Sequence, residues 1–281
     1  MTAQPRVSVV IPCYNAARFL AETLDSVRKQ TYADFEIIAV NDGSTDETAG
    51  VLRRWSSSVQ IVSMANGGVS AARNAGTQRA RGEFVHYLDS DDQLMPDALA
   101  KCVSALDAGG ADVAYSGYRR LEEGADGVFR AGAPIERRIE DVDADPLIAF
   151  LTEMWTPPAA MMYRRSIVEK IGGWNNDLPV IQDARFAFDA AQAGARFVYV
   201  PGVAALYRVQ RRAASLSQRD RLAFARDTLH NAVDIENRWA NGACLTRARQ
   251  AALARVYDFV SRRLLGVDDA LFEEALTHLY R

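Results

Sequence analysis

The sequence predicts an α/β protein: a mostly parallel sheet flanked by helices, followed by a C-terminal helical extension. Three observations predict it. Apolar runs of strand length alternate with helical patterns through the first third of the chain, joined by short links, and such alternation gives a parallel sheet covered on both faces. The runs are continuously apolar, as in strands buried on both sides. Gly-, Asn- and Asp-rich segments follow the runs, at the strand ends where open α/β sheets bind ligands.

The elements follow in order. Residues 7–11, Val-Ser-Val-Val-Ile, read as a buried strand stopped by Pro12. Residues 17–29 read as a helix with Phe19, Leu20, Leu24 and Val27 on one face. Phe35 to Val40 is a second strand. Ser44-Thr45-Asp46-Glu47 has capping-box spacing and predicts a helix from there to about Trp55. Val59 to Val62 is a third strand, Asn66-Gly67-Gly68 a turn, Val69 to Arg79 a helix, and Phe84 to Leu88 a fourth strand.

Beyond residue 110 the pattern loosens. Asp112 to Leu121 and Val128 to Ala133 read as strands around a Glu-Glu-Gly-Ala-Asp-Gly turn. Asp145 to Met154 is a short helix, Ala159 to Tyr163 a strand, Asp183 to Ala193 a helix closed by Gly194, and Arg196 to Val200 a strand. From about Ser217 the chain is helical, with breaks near Asn241-Gly242 and Gly266. This divides the chain into residues 1–216, with halves 1–110 and 111–216, and a helical region 217–281.

Composition bounds the function. A hydrophobic share of 49% and a charged share of 25% are those of an ordinary soluble globular protein. A net charge of −3 gives no electrostatic case for nucleic acid. Cys13, Cys102 and Cys244 are far apart, without metal-site or disulfide spacing, which fits reduced thiols in the cytoplasm. No stretch reaches the roughly 18 apolar residues of a membrane span. Residues 204–281 are net basic while the rest is net acidic, which leaves room for peripheral contact with the inner face of the plasma membrane. The C-terminal apolar stripes, including Leu229, Trp239, Leu253, Val256 and Val260, read as core or homodimer contacts ahead of a membrane face. Lysine occurs only at 29, 101 and 170 against abundant arginine, a bias that suggests a GC-rich bacterium.

The chemistry sits in segments after the strands. Asp89-Ser90-Asp91-Asp92 places three carboxylates in four residues. They repel one another unless a cation sits among them, and hard oxygen ligands suit Mg²⁺ or Mn²⁺ beside a bound phosphate. Taken alone, the cluster also fits a solvated turn. Pro12-Cys13-Tyr14-Asn15 follows the first strand, and Asn41-Asp42-Gly43-Ser44-Thr45-Asp46 the second. Asp42 suits hydrogen bonding to a base N–H, or a turn beside Gly43; Ser44 and Asp46 suit helix capping. Asn66-Gly67-Gly68 leads into the helix bearing Arg73 and Asn74. Arg73 is placed to reach a diphosphate, or to be a surface arginine.

Together these segments resemble glycosyltransferase family 2, whose members have the GT-A fold, a Rossmann-like sheet flanked by helices. The resemblance runs from about Val7 to Ser217 and rests on the ordered set of motifs. It implies a metal-dependent transferase that moves a sugar, with inversion, from a nucleotide diphosphate, most simply a UDP-sugar, to a glycan, lipid-linked or natural-product acceptor. By the resemblance Pro12, Tyr14, Asn15, Asp42, Arg73, Asn74, Asp89 and Ser90 bind the nucleotide sugar. Asp89 and Asp91 match the D-x-D motif, with Asp91 as ligand to Mn²⁺ or Mg²⁺ and Asp89 on ribose or the metal shell. Gly172-Gly173-Trp174 and then Gln182-Asp183 match the family's Gly-Gly-aromatic and Glu-Asp segments, which makes Asp183 the expected general base.

Two positions depart from the family pattern. Gln182 stands where Glu is usual, and Gln210 near a position where many relatives have a metal-assisting His. Arg208, Arg211 and Arg212 offer positive charge to a diphosphate or form a solvated basic loop. Trp155, before Pro157-Pro158, and Trp174 suit an acceptor pocket as well as plain packing. Gln182 and Gln210 also motivate a competing reading, a catalytically silent sugar-nucleotide-binding or scaffold protein. A nucleotidylyltransferase is a third, disfavoured because no Gly-rich, Lys-containing loop follows the first strand.

Overall fold

The computed structural model describes residues 4–211 and 220–281. Arg212, the expected boundary at 216/217 and the expected helix start near Ser217 lie outside the described residues. The chain forms two compact units. Of the described residues, the first holds those up to Arg137 with Thr156–Asn176 and Asp189–Arg211; the second holds Arg138–Trp155, Asp177–Phe188 and residues 220–281.

The first unit is a nine-stranded sheet with helices packed on it. In chain order its elements are β1 (Val7–Cys13), α1 (Leu20–Arg28), β2 (Phe35–Asp42), α2 (Thr48–Arg54), β3 (Gln60–Met64), α3 (Val69–Thr77), β4 (Phe84–Tyr87), β5 (Gln93–Leu94), α4 (Ala98–Gly109), β6 (Val113–Glu123) and β7 (Phe129–Ile135). β8 (Met161–Arg164), α6 (Arg165–Ile171) and β9 (Phe197–Val209) complete it. Strand order is β3-β2-β1-β4-β8-β6-β9-β5, with β7 added on β6. The strands β1, β2, β3, β4, β6 and β9 share one direction; β5, β7 and β8 pair antiparallel to their neighbours. The α/β class, the mainly parallel sheet and the C-terminal helices are as the sequence predicts.

Val7, Val9, Val10 and Ile11 of β1 are all fully buried between β2 and β4, each side chain contributing roughly 1.5–3 kcal/mol by leaving water. β1 does not stop at Pro12. It continues to Cys13, with Pro12 opposite Val40 of β2. Pairing with β4 ends at Val10, whose carbonyl accepts the Leu88 N–H. Pro12 shares the parity of Val10, so its missing donor faces the side where that ladder has already ended.

Other differences are similarly local. α2 starts at Thr48, with Glu47 at its N-cap making no side-chain cap; Asp46, one residue earlier, accepts the Thr48 N–H on its Oδ1 at 2.9 Å. The capping box on Ser44 does not form; the Ser44 hydroxyl accepts from the Asn15 N–H instead. β9 runs well past Val200, because it stays paired with β6 through register shifts around Gly117. The short α6 and β5 carry no sequence periodicity long enough to announce them.

The second unit is helical. It contains α5 (Pro146–Thr152), the start of α7 (Gln182–Gln192), α8 (Arg221–Asn241), α9 (Arg247–Leu264) and α10 (Asp269–Leu279). Asp220, Thr246 and Asp268 cap the last three through their side chains. Leu229, Trp239, Leu253, Val256 and Val260 are buried, so the expected stripes are largely this unit's own core, while Phe259 and Leu265 remain exposed. Among the described residues no helix is long and apolar enough to cross a membrane.

Candidate functional site

Four loops leave the C-terminal ends of the adjacent parallel strands β3, β2, β1 and β4, and hydrogen bonds staple them together. The β1 and β2 loops join first. The Asn15 N–H donates to Ser44 Oγ at 3.1 Å, the Thr45 N–H to Asn15 Oδ1 at 2.9 Å, and the Ala16 N–H to Thr48 Oγ1 at 2.8 Å. Asn15 takes a left-handed backbone (φ 49°), which Asn tolerates better than most residues. Tyr14 beside it is 52% exposed. It is not a packing aromatic; its ring is open to a ligand.

Asp42 joins the β2 and β3 loops. Its Oδ1 accepts the Gly67 N–H at 2.7 Å and its Oδ2 the Gly68 N–H at 2.9 Å. Asp42 is only 2% exposed. Oδ2 also accepts from the Asn66 Nδ2 amide at 3.5 Å; a carboxylate offers about four acceptor directions, so Oδ1 keeps one. Gly43 has φ 66°, and a Cβ there would stand 2.7 Å from the Asn66 backbone nitrogen, so no side chain fits at this approach of the two loops. Replacing Asp42 by Ala leaves both glycine donors to water and is expected to cost about 1–2 kcal/mol in urea unfolding. An unchanged midpoint would contradict this role.

Arg73 of α3 reaches the β4 loop. Its Nη2 donates to Asp89 Oδ1 at 2.5 Å, and its guanidinium lies 4.2 Å from the centre of the Trp174 ring. At 1% exposure Arg73 is a buried cation and not a surface arginine. Its Nε and Nη1 have no hydrogen-bond partner among the described residues; the indole face compensates electrostatically.

The acidic cluster is held from beneath. Thr23 Oγ1 of α1 donates to the Ser90 and Asp92 carbonyls at 3.0 and 2.8 Å. From β9 the Arg208 N–H donates to Asp92 Oδ1 at 2.8 Å, Arg208 Nε to the Asp91 carbonyl at 2.7 Å, and Nη2 to Glu22 at 2.8 Å. The Arg208 guanidinium sits 4.1 Å from the Phe19 ring centre and 4.6 Å from that of Phe129. Burial, then repulsion by Asp89, pushes the Asp91 carboxyl up to about 6, and Gln210 hydrogen-bonds it. Burial, then Asp91 and Asp89, push Asp92 well above the usual carboxylate range, and its Oδ2 has no partner among the described residues.

Several expectations change on this geometry. The Arg208 guanidinium, expected to face a diphosphate, is buried between two rings, pairs with the Glu22 carboxylate and donates to the Asp91 carbonyl, and so supports the cluster. Asn74 does not present its amide to a ligand, because Oδ1 accepts the Trp174 N–H and Nδ2 donates to the Trp174 carbonyl. Trp174 is buried against Tyr87 and Arg73 and so does not line an acceptor pocket. Gln210 serves as a partner of Asp91. Arg211, on the exposed side, donates its N–H to Glu123. His86 is fully buried, and that burial lowers it to about 4, so it stays neutral at physiological pH. Sequence reasoning missed Glu22 and Thr23; the only signal for either was an acid and a Thr on the helix after β1.

Asp183 and Trp155 lie in the second unit. Asp183 is the second residue of α7; its Oδ1 accepts the Ala184 N–H at 2.8 Å and its Oδ2 the Trp155 indole N–H at 2.7 Å. Gln182 is buried, which excludes a charged side chain there at low cost.

Comparison with known proteins decides the family. The family model for glycosyl transferase family 2 matches residues 8–172, more than half of the chain. The chain belongs to glycosyl transferase family 2. Among curated relatives it is 42% identical over 102 residues to a chondroitin synthase of Pasteurella multocida, covering 35% of this chain and 11% of that protein. It is 28% identical over 183 residues to the uncharacterized glycosyltransferase RP339 of Rickettsia prowazekii, covering 64% and 56%. The matches thus span only part of these relatives' lengths. Of solved structures, S. aureus TarS 1-349 in complex with UDP-GlcNAc superposes with TM-score 0.67 at 19% identity over 98% of this chain and 88% of that one. The mannosyltransferase PcManGT from Pyrobaculum calidifontis in complex with GDP-Man and Mn²⁺ superposes with TM-score 0.63 at 21% identity, covering 100% and 82%. These two likenesses establish the shared fold of this family 2 glycosyltransferase chain.

A divalent cation has one candidate ligand in the acidic cluster, Asp91. Among the described residues no group of three or more His, Cys, Asp or Glu side chains is arranged to hold a metal unaided. Asp91, kept protonation-prone by burial and by Asp89, is instead a carboxylate short of positive charge. That suits a Mg²⁺-type ion held by one or two carboxylates with substrate phosphates completing its shell.

Proposed function

We propose that this protein is an inverting glycosyltransferase that takes a sugar from a nucleotide diphosphate, most simply a UDP-sugar, with a bound Mn²⁺ or Mg²⁺. The observation that carries the reading is the stapling of the Tyr14, Asp42, Arg73–Asp89 and Asp91 loops at one edge of the parallel strands. Neighbours of the same fold bind UDP-GlcNAc or GDP-Man, one of them with Mn²⁺.

Within this reading Tyr14 and Pro12 line the base pocket, and Asp42 accepts a base N–H through the remaining acceptor direction of Oδ1. Asp89, steadied by Arg73, contacts ribose. Asp91 is the protein ligand of the cation, which when bound neutralises the departing diphosphate. Asp183 takes the proton from the acceptor hydroxyl as its oxygen bonds the anomeric carbon; the bond to the diphosphate breaks, and that electron pair leaves with the nucleotide. A single displacement inverts the anomeric centre. The acceptor is a hydroxyl of a glycan, a lipid-linked sugar or a small molecule.

Asp91 also sets a pH dependence. Its folded-state pKa of about 6 lies above the ordinary carboxylate value of 3.8, so it is increasingly protonated as pH falls through 6. Mn²⁺ affinity is expected to drop about tenfold per pH unit below that point, measurable by electron paramagnetic resonance of free Mn²⁺. A flat response from pH 7 to 5 would remove Asp91 as the ligand. The reading itself is tested by incubating the protein with UDP-GlcNAc, UDP-glucose and GDP-mannose in Mn²⁺, with water and a sugar panel as acceptors. Release of UDP or GDP is the expected result; no release from any donor overturns the reading.

A further inference from the structure

We infer that Arg208 is a positioning residue for the divalent cation: it locks the main chain of the acidic turn so that Asp91 keeps the placement a cation needs. The inference rests on the reading of Asp91 as the cation's ligand. Its own observation is a set of hydrogen bonds that engages every carbonyl of the turn, with Arg208 on that of Asp91 itself.

Residues 89–92 have four carbonyl oxygens. That of Asp89 accepts the Asp92 N–H at 3.0 Å and closes the turn. Those of Ser90 and Asp92 accept Thr23 Oγ1 at 3.0 and 2.8 Å. That of Asp91 accepts Arg208 Nε at 2.7 Å. The peptide of the candidate ligand is therefore gripped by Arg208, and the peptides on either side of it by Thr23. Arg208 grips the turn a second time through its own N–H, which donates to Asp92 Oδ1 at 2.8 Å. Asp92 is buried, and this bond makes it an anchor of the turn.

The base from which Arg208 acts is stiff. β9 lies between β6 and β5, with Leu121 of β6 opposite Arg208. Gln93 and Leu94, which follow the turn directly, pair with Leu206 and Ala205 of the same strand. The guanidinium itself is confined by the Phe19 and Phe129 rings and by Glu22 at 2.8 Å. Glu22 precedes Thr23 on α1, so both grips on the turn lead back to one place on that helix.

The role is geometric before it is electrostatic. A bare arginine beside a cation would repel it, but Glu22 pairs with this charge. What remains is direction. One planar group sends Nε to the Asp91 carbonyl and Nη2 to Glu22, a fork that an ammonium on a flexible stem does not reproduce. Partners that orient a metal ligand from outside its shell are worth about 10- to 100-fold in metal affinity.

The test is calorimetric titration of UDP and of GDP, in Mn²⁺ and in EDTA, with Arg208→Lys, which keeps the charge and loses the fork. The quantity read is the ratio of nucleotide affinity in Mn²⁺ to that in EDTA. Affinity in EDTA should stay within about twofold of wild type, and the ratio should fall about tenfold. A merely structural role lowers Tm and the binding-competent fraction, or weakens binding in both media alike; an unmoved ratio overturns the inference. Should the Lys variant fail to fold, Glu22→Ala takes its place. The Glu22 side chain is 55% exposed, so the fold loses little. Nη2 loses its acceptor, and the ratio should fall about threefold; an unmoved ratio there overturns the inference as well. The wild-type protein separates the two claims. If it binds neither nucleotide, or binds without gain from Mn²⁺, the cation reading falls and this one with it. If the gain is present in the wild type and persists in the variant, only the positioning role falls.

Discussion

Asp183→Asn is expected to lower sugar transfer by about 10²- to 10⁴-fold, the span that a positioned general base contributes. Asn has nearly the shape of Asp but only one acceptor oxygen where Asp183 uses two, for the Trp155 and Ala184 N–H groups, so one hydrogen bond is lost and folding stability should fall by only about 1 kcal/mol. The residues assigned to the nucleotide sugar all lie in the first unit, and Asp183 lies in the second. Donor affinity should therefore stay close to wild type. Single-turnover kinetics with calorimetric measurement of UDP binding separates the two quantities. Loss of donor binding together with turnover would show that Asp183 supports the fold of the donor site and is not a base.

Asp91→Asn should have an opposite effect on stability and on function. Burial and the neighbouring Asp89 hold the Asp91 carboxyl at about 6. A carboxylate whose folded pKa is raised opposes folding at neutral pH. The penalty is absent below the unfolded value of 3.8, grows as pH rises, and is complete above about 6. A neutral Asn removes it, so the metal-free variant should be more stable at pH 7.5 by about 1–3 kcal/mol, a Tm rise of a few degrees for a chain of this size. The gain should shrink as the pH falls toward 4. Mn²⁺ binding and turnover should be lost in the same variant. This is the trade expected where repulsion is kept in place for a ligand. A metal-free Asp91→Asn protein that melts below wild type would contradict the account.

The first half of the chain was legible because each strand there is a continuous apolar run and each loop after it carries its polar signature. Val7 to Ile11 and Phe84 to Leu88 announce buried strands, and their order places Asp42 and Asp89 at one edge without any tertiary information. Local rules misread only small features. Pro12 obeys a tertiary fact, the end of the β1–β4 ladder, that no window of sequence contains.

Other parts depended on distant partners. Arg208 reads as one arginine in a basic stretch, yet Phe19, Phe129 and Glu22 make it a buried prop of the acidic cluster. Asn74 and Trp174 look like binding residues by position, but they satisfy each other across 100 residues of chain. β9 outran its expected end because its pairing with β6 tolerates register shifts that alternation rules do not anticipate. The Trp155–Asp183 contact has no periodicity at all. Only the family pattern pointed to Asp183, and nothing in the sequence pointed to its partner.

The central claim is that the stapled loops of the first unit receive a nucleoside diphosphate with a divalent cation. Calorimetric titration of UDP and of GDP, each with Mn²⁺ and again with EDTA, tests it most directly. The account predicts saturable binding of at least one of them in Mn²⁺, weakened about tenfold or more by EDTA. Absence of binding by both nucleotides in Mn²⁺ would contradict it.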